Sequence, residues 1–290
     1  MDKSLKNGVI AGLVAGFVAG VVYTICANIA ISIGLFSLGW HPIIPNAYVA
    51  NISLGIIFGV ICGVFYSKAN RVIPGKGILK GAYYGIILLL LSWVQTGTFG
   101  LIYGIYLDVA GHIFTGFFKW ITYGLLLGFF YEFFSSRYYP IKKEPRIRTY
   151  DIKGGILPGA VAGFADGVVA AIVNAIAFVV GLFGPPVAGG ALVLLRFDFW
   201  ISQSGSSILI NVIWGIVIGM IFTQVYNLIP SKGIKKGLYY GLIIVVISSF
   251  HTAAHYIGWG IVLGGLWTFV VGFFSTAITL GIVLGALYKK

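Results

Sequence analysis

Eight runs of apolar residues, each long enough to cross a bilayer, follow one another along these 290 residues. A hydrocarbon core of ~30 Å needs about 20 residues at ~1.5 Å rise each. The runs cover residues 8–35, 47–69, 77–106, 110–136, 154–183, 201–228, 233–259 and 262–287. The spacing predicts an all-α integral membrane protein of about eight transmembrane helices. The third and fourth runs, and the seventh and eighth, nearly touch, so each pair reads as a tight helical hairpin. The first run reaches from Gly8 to about Trp40, beyond the ~7–15 residues of a cleaved signal core. It reads as the first membrane helix with its exit loop.

Charge placement orients these helices. Only 9% of the residues are charged and 59% are hydrophobic, against roughly 25% charged in soluble domains. Of the 19 Lys and Arg residues, all but Lys119 and Arg196 fall in the termini or in alternate connections. Those connections are Lys68–Lys80, the linker from Arg137 to Lys153, and Lys232–Lys236. By the positive-inside rule they face the cytoplasm, and so do both termini. The expected location is the cell membrane, multi-pass. The net charge of +12 therefore reads as topology and contact with anionic lipid, with no nucleic-acid partner expected.

The chain repeats itself. Ile73-Pro74-Gly75-Lys76-Gly77 matches Ile229-Pro230-Ser231-Lys232-Gly233 at an offset of 156. That register continues through Lys80-Gly81, Tyr83-Tyr84-Gly85 and Ser92 to Lys236-Gly237, Tyr239-Tyr240-Gly241 and Ser248. Gly8, Gly12, Gly16 and Gly20 match Gly155, Gly159, Gly163 and Gly167 at 147, and Gly124 and Gly128 match Gly281 and Gly285 at 157. Two four-helix repeats follow, residues 1–136 and 154–290, joined by a basic cytoplasmic linker, 137–153. An even number of spans makes the repeats parallel, with an expected pseudo-two-fold axis along the membrane normal. The second repeat holds about nine extra residues near Gly184–Gly190.

Glycines every fourth residue lie on one helix face, where they allow close packing in lipid or line a solute path. The Ile-Pro-x-Lys-Gly turns end one helix and start the next. Their lysines, Lys76, Lys80, Lys232 and Lys236, anchor at the interface or hold a lipid headgroup. Cys26 and Cys62 sit in apolar runs, as small hydrophobes rather than a disulfide.

Ionisable groups at membrane depth are candidates for function because they are expensive there. Asp166 lies about 18 Å along the fifth helix at ~1.5 Å per residue, and its counterpart in the first repeat is Ala19. It reads either as an ion- or proton-coupling group or as a hydrogen-bonded packing aspartate. Asn28, Asn174 and Asn211 are possible polar neighbours. Lys119 in the fourth helix pairs with a carboxylate or snorkels to the outer interface. His251 and His255, four apart, share a helix face. They suit metal or proton handling, or polar packing, with no third protein ligand for a metal signalled. Asp108 and His112 at the outer turn between the third and fourth helices, and Arg196 and Asp198 in the outer loop before the sixth helix, could form an outer gate.

No nucleophile elbow, nucleotide fingerprint or P-loop is present, so neither an enzyme nor a cofactor is expected. The Ile-Pro-x-Lys-Gly-x-x-x-Gly-x-Tyr-Tyr-Gly turns and Tyr123-Gly124-Leu125-Leu126-Leu127-Gly128 resemble those of glycine-rich polytopic membrane proteins of prokaryotes, archaea among them. That resemblance covers each four-helix half and implies no activity. The leading expectation is a small-solute or ion transporter with its site between the two halves, drawing on Asp166, Lys119, Asn174, His251 and His255. The alternatives are a non-catalytic subunit that joins other membrane subunits, or its own copies, in a larger complex, and a lipid-handling enzyme.

Overall fold

The computed structural model describes residues 2–35, 45–102, 106–138, 152–179, 197–258 and 262–288; within them, 45–47, 93–102, 106–109, 174–175, 177–179, 197–204, 206–207, 256, 258 and 264 are described by backbone alone. Every regular element among them is a helix. They are α1 (Lys3–Ser32), α2 (Pro45–Ala69), α3 (Gly77–Ile102), α4 (Tyr106–Arg137), α5 (Ile156–Val179) and α6 (Phe197–Val225). α7 runs as Gly233–Val245, a π-helical stretch Val246–Phe250, and His251–Gly258. α8 runs as Val262–Gly272, a π-helical stretch Phe273–Leu280, and Gly281–Leu287.

Several starts come earlier than the apolar runs suggest. α1 begins at Lys3 because Asp2 caps it, accepting from the Ser4 amide at 3.2 Å, which satisfies one of the helix's orphan donors. α2 starts on Pro45, whose missing N–H costs nothing there. α4 takes in Asp108 and His112, and α6 takes in Asp198. Asp108 and His112, expected at a turn, and Asp198, expected in a loop, therefore have helical backbone, in the opening turns of their helices. Arg196, and the linker from Tyr139 to Asp151, lie outside the described residues.

The chain divides into two compact units, Met1–Gly97 with Tyr106–Arg148, and Thr98–Ile105 with Thr149–Lys290. In the first, α1 and α2 touch backbone to backbone. A Cβ at Gly8, Gly12 or Gly16 would run into the carbonyl of Gly63, Gly59 or Gly55. α3 and α4 meet the same way, Gly81 against Gly124 and Gly128 against Gly77. Tyrosines tie the pairs together: Tyr84 Oη donates to Cys62 O at 2.8 Å and Tyr123 Oη to Gly59 O at 2.7 Å. Ser4 Oγ and Tyr131 Oη lie 2.8 Å apart, joining α1 to α4.

In the second unit Gly155 and Gly159 of the α5 segment meet the carbonyls of Gly219 and Gly215 on α6. Gly237 of α7 meets Gly281 of α8. Tyr240 Oη donates to Ile218 O at 2.9 Å. Both units thus send a tyrosine hydroxyl back 22 residues to a helix carbonyl.

On α1, small residues face inward and large apolar ones outward. Along α1, Ala11, Ala15 and Ala19 are buried while Leu13, Phe17, Ile25 and Ile29 are exposed. A water-soluble bundle does the reverse; in lipid, where tails are as apolar as leucine, backbone approach supplies the packing. Seven helices among the described residues are long and apolar enough to cross a membrane, and the start of α3, Gly77–Ser92, adds a shorter apolar stretch. The chain is a polytopic helical membrane protein.

Candidate functional site

α5 is apolar apart from Asp166, near its middle, and Asn174, near its end. The Asp166 side chain is 0% exposed. It faces the π-helical stretch of α8. Thr276 Oγ1 donates to Asp166 Oδ1 at 3.3 Å, and Ser275 Oγ lies 3.5 Å from Thr276 Oγ1, within reach of the same carboxylate. Asp166 Oδ2 has no hydrogen-bond partner among the described residues. Ser275 and Thr276 are themselves 0% exposed. A π turn is wider than an α turn, so consecutive side chains diverge less, and such turns recur at functional sites. Here it lets two neighbouring hydroxyls serve one carboxylate.

Other buried polar groups lie in the same unit. The Asn211 side chain on α6 is buried and its Cβ stands 3.2 Å from where a Cβ on Gly167 would be, one residue past Asp166. On α7, the π-helical stretch carries Ser248 and Ser249, both buried, and Gly272 of α8 packs on Ser249. His251 and His255 follow, buried, with ring centroids 4.7 Å apart and planes at 75°. Among the described residues no cluster of three or more His, Cys, Asp or Glu could hold a metal ion.

Lys119 lies in the first unit. It is 3% exposed, and its Nζ sits 4.8 Å from the centre of the Tyr23 ring and 5.3 Å from that of Trp120. Its head is buried beside these ring faces, which attract a cation. Cys62 is its near neighbour. Asn28, also in the first unit, is engaged with Thr24 O and Tyr48 Oη.

The turn lysines divide. Lys80 Nζ donates to Asn70 O at 2.8 Å, and Lys236 Nζ to Tyr226 O at 2.8 Å. Each stabilises the carbonyl end of the preceding helix, where a positive charge is favoured. Lys76 and Lys232 stay exposed.

Of the predicted site residues, Asp166, His251 and His255 fall in one unit and Lys119 in the other. His112 is in the second turn of α4, its backbone carbonyl accepting from Thr115 Oγ1 at 3.2 Å. The side chains of Asn174, Asp198 and Asp108 lie outside the described residues. Sequence reasoning missed Ser275 and Thr276. The signal was available: at the offset of 157 that aligns Gly124 with Gly281, Lys119 aligns with Thr276.

No protein-family model, curated protein or solved structure matches the chain.

Proposed function

We propose that this membrane protein is a permease for a small solute or ion, and that Asp166 is the group through which it handles charge. The observation that carries this is a carboxylate buried at mid-helix with one oxygen held by Thr276 and the other without a partner among the described residues. Burying an ionisable group in an apolar bundle costs several kcal/mol unless it is neutralised or paired. A packing residue gains nothing from that cost, since Ala19 fills the corresponding place in the first repeat. A group that alternately takes up and releases a charge needs it.

The same reading takes the chain as two four-helix repeats with cytoplasmic termini in the cell membrane. The equivalences at offset 156 support it: Tyr84 to Cys62 and Tyr240 to Ile218, Lys80 to Asn70 and Lys236 to Tyr226, Ser92 to Leu88 and Ser248 to Ile244. Left-handed backbone recurs at Gly75 and Ser231, and at Gly77 and Gly233.

The scaffold reading draws less support, because the glycine faces that could receive a partner helix are spent inside each unit. A lipid-handling role through the turn lysines loses Lys80 and Lys236 to helix ends.

The test is current across proteoliposomes on a supported membrane, challenged with steps of protons, alkali cations, amino acids, amines and sugars. A current in the wild type that Asp166→Asn abolishes, in a variant that still elutes as the wild type does, is the expected result. Silence toward every probe, with a stoichiometric protein partner in the native mass spectrum, would overturn the permease in favour of the subunit.

A further inference from the structure

We infer that Asp166, Ser275 and Thr276 form a site for one dehydrated monovalent metal cation, of which sodium is the physiological candidate. The proposal rests on the permease reading only in locating the site at Asp166; binding can be measured without transport.

The argument begins with what each occupant would leave unsatisfied. An ionised carboxylate with an unpartnered Oδ2, fully buried, is the most expensive arrangement. A proton removes the charge but makes Oδ2 an O–H donor with no acceptor beside it among the described residues, or leaves it a bare carbonyl oxygen. Either way a buried polar atom stays unpaired, at a cost of about 1–3 kcal/mol. A cation on Oδ2 removes both defects. It cancels the charge, and it turns the lone pairs of Ser275 and Thr276 into ligands. Both hydroxyls are already buried there. All the donors are oxygens, which suits hard cations rather than thiophilic metals.

Charge balance then sets the valence. One carboxylate and two neutral hydroxyls cancel a single positive charge. A divalent ion would leave a net charge buried among apolar side chains, which is penalised as a lone ion is. The π-helical turn Phe273–Leu280 adds the geometry. π stretches within otherwise α-helical segments recur at functional sites, and this one sets two consecutive hydroxyls toward one carboxylate. The wide turn is locally stabilised by Thr279 Oγ1, which donates to Phe274 O at 2.9 Å.

The first unit offers an internal comparison. At the position aligned with Thr276 it carries Lys119, and at the position aligned with Asp166 it carries Ala19. There a cation is attached covalently, against Tyr23 and Trp120, and the carboxylate is gone. The second unit has the carboxylate and no attached cation at that register. One exchangeable cation per chain is the stoichiometry this implies.

The test is equilibrium binding of radioactive sodium to the purified full-length protein in detergent, with choline chloride holding ionic strength constant. Saturable binding of one sodium per chain is expected, lost in Asp166→Asn and weakened by at least about tenfold in Thr276→Val. Ser275→Ala should weaken it too, and serves if Asp166→Asn does not fold. Absence of saturable sodium binding at neutral and alkaline pH would overturn the site, and so would binding unchanged in all three variants. Sodium binding without any flux in proteoliposomes would keep the site and sink the permease. Flux that persists in choline from a protein that binds no sodium would keep the permease and sink the site.

Discussion

Lys236 Nζ donates to the carbonyl of Tyr226 at 2.8 Å and sits 3.8 Å from the centre of that residue's ring. The lysine is buried although its sequence neighbours Lys232 and Lys235 are exposed. It closes the 3₁₀ turn Tyr226–Leu228 that ends α6. Lys236→Met should therefore destabilise the protein by about 1–2 kcal/mol, the value of a charge-assisted hydrogen bond discounted for the membrane setting. Lys232→Met should stay within about 0.5 kcal/mol of the wild type. Melting in detergent distinguishes them, and equal losses would mean that Lys236 acts only as an interfacial charge.

The turn after α6 carries a residue in the wrong backbone region. Ser231 has φ of +79°, while its counterpart Gly75 has φ of +90°. A side chain there costs about 1–2 kcal/mol, and glycine does not meet that cost. Ser231→Gly should raise the melting temperature, by about 1 kcal/mol in stability. Gly75→Ser should lower it by a similar amount. A fall for Ser231→Gly would show that the serine hydroxyl compensates locally.

Glycine contacts make a sharper prediction. A Cβ on Gly59 would stand 2.5 Å from Gly12 O and 2.6 Å from Gly16 Cα. Backbone cannot yield as a side-chain tip can, so Gly59→Ala forces α1 and α2 apart and should cost about 1–3 kcal/mol. Gly205, in α6, has nothing described within 4 Å of its would-be Cβ. Gly205→Ala should be stabilising, by up to about 1 kcal/mol from helix propensity alone. The two substitutions are chemically identical, so the same sign for both would refute packing as the reason for the glycine faces.

The glycine periodicity was readable as close packing because a four-residue step keeps one face, and the structure fills those faces with opposing carbonyls. Asp166 was readable as a deep charge because hydropathy alone isolates it. Its partners were not, since Ser275 and Thr276 look like ordinary hydroxyls in an apolar run and only the π turn brings them onto one carboxylate. The acceptors of two turn lysines were hidden for a related reason. Sequence shows that Lys80 and Lys236 sit at an interface, but a carbonyl ten residues back becomes their acceptor only once the chain has turned. Helix starts at Tyr106 and Phe197 were missed because polar residues such as Asp108 and Asp198 interrupt hydropathy without interrupting backbone hydrogen bonds.

Lys119 offers a test of what a buried cation is for. Its neighbours include the Tyr23 and Trp120 rings. Methionine has nearly the same length and carries no charge to desolvate. Lys119→Met should leave stability unchanged within about 1 kcal/mol, because ring attraction and desolvation largely offset. Lys119→Glu should prevent folding, since an anion would face the negative faces of both rings. Sodium binding at Asp166 should survive Lys119→Met. If Lys119→Met abolished sodium binding, the two charges would be coupled, and the assignment of one independent cation site would fail.

The side of the membrane on which each end emerges decides the span count. Seven described helices are long and apolar enough to cross, and α3 contributes the shorter stretch Gly77–Ser92. If α3 also spans, the number is even and both termini share a side; if it does not, they are on opposite sides. Basic residues at both ends and in alternate connections favour the first case, with both termini cytoplasmic. Fusions of a fluorescent protein that matures only in the cytoplasm, and of a phosphatase active only outside, should report this directly. Fluorescence from both termini and phosphatase activity from a fusion after Asp108 are expected. Fluorescence from one terminus and phosphatase from the other would reduce the spans to an odd number and remove α3 from the membrane. The repeat equivalence of α3 with α7 would then fail, and with it the symmetric reading of Lys119 against Thr276.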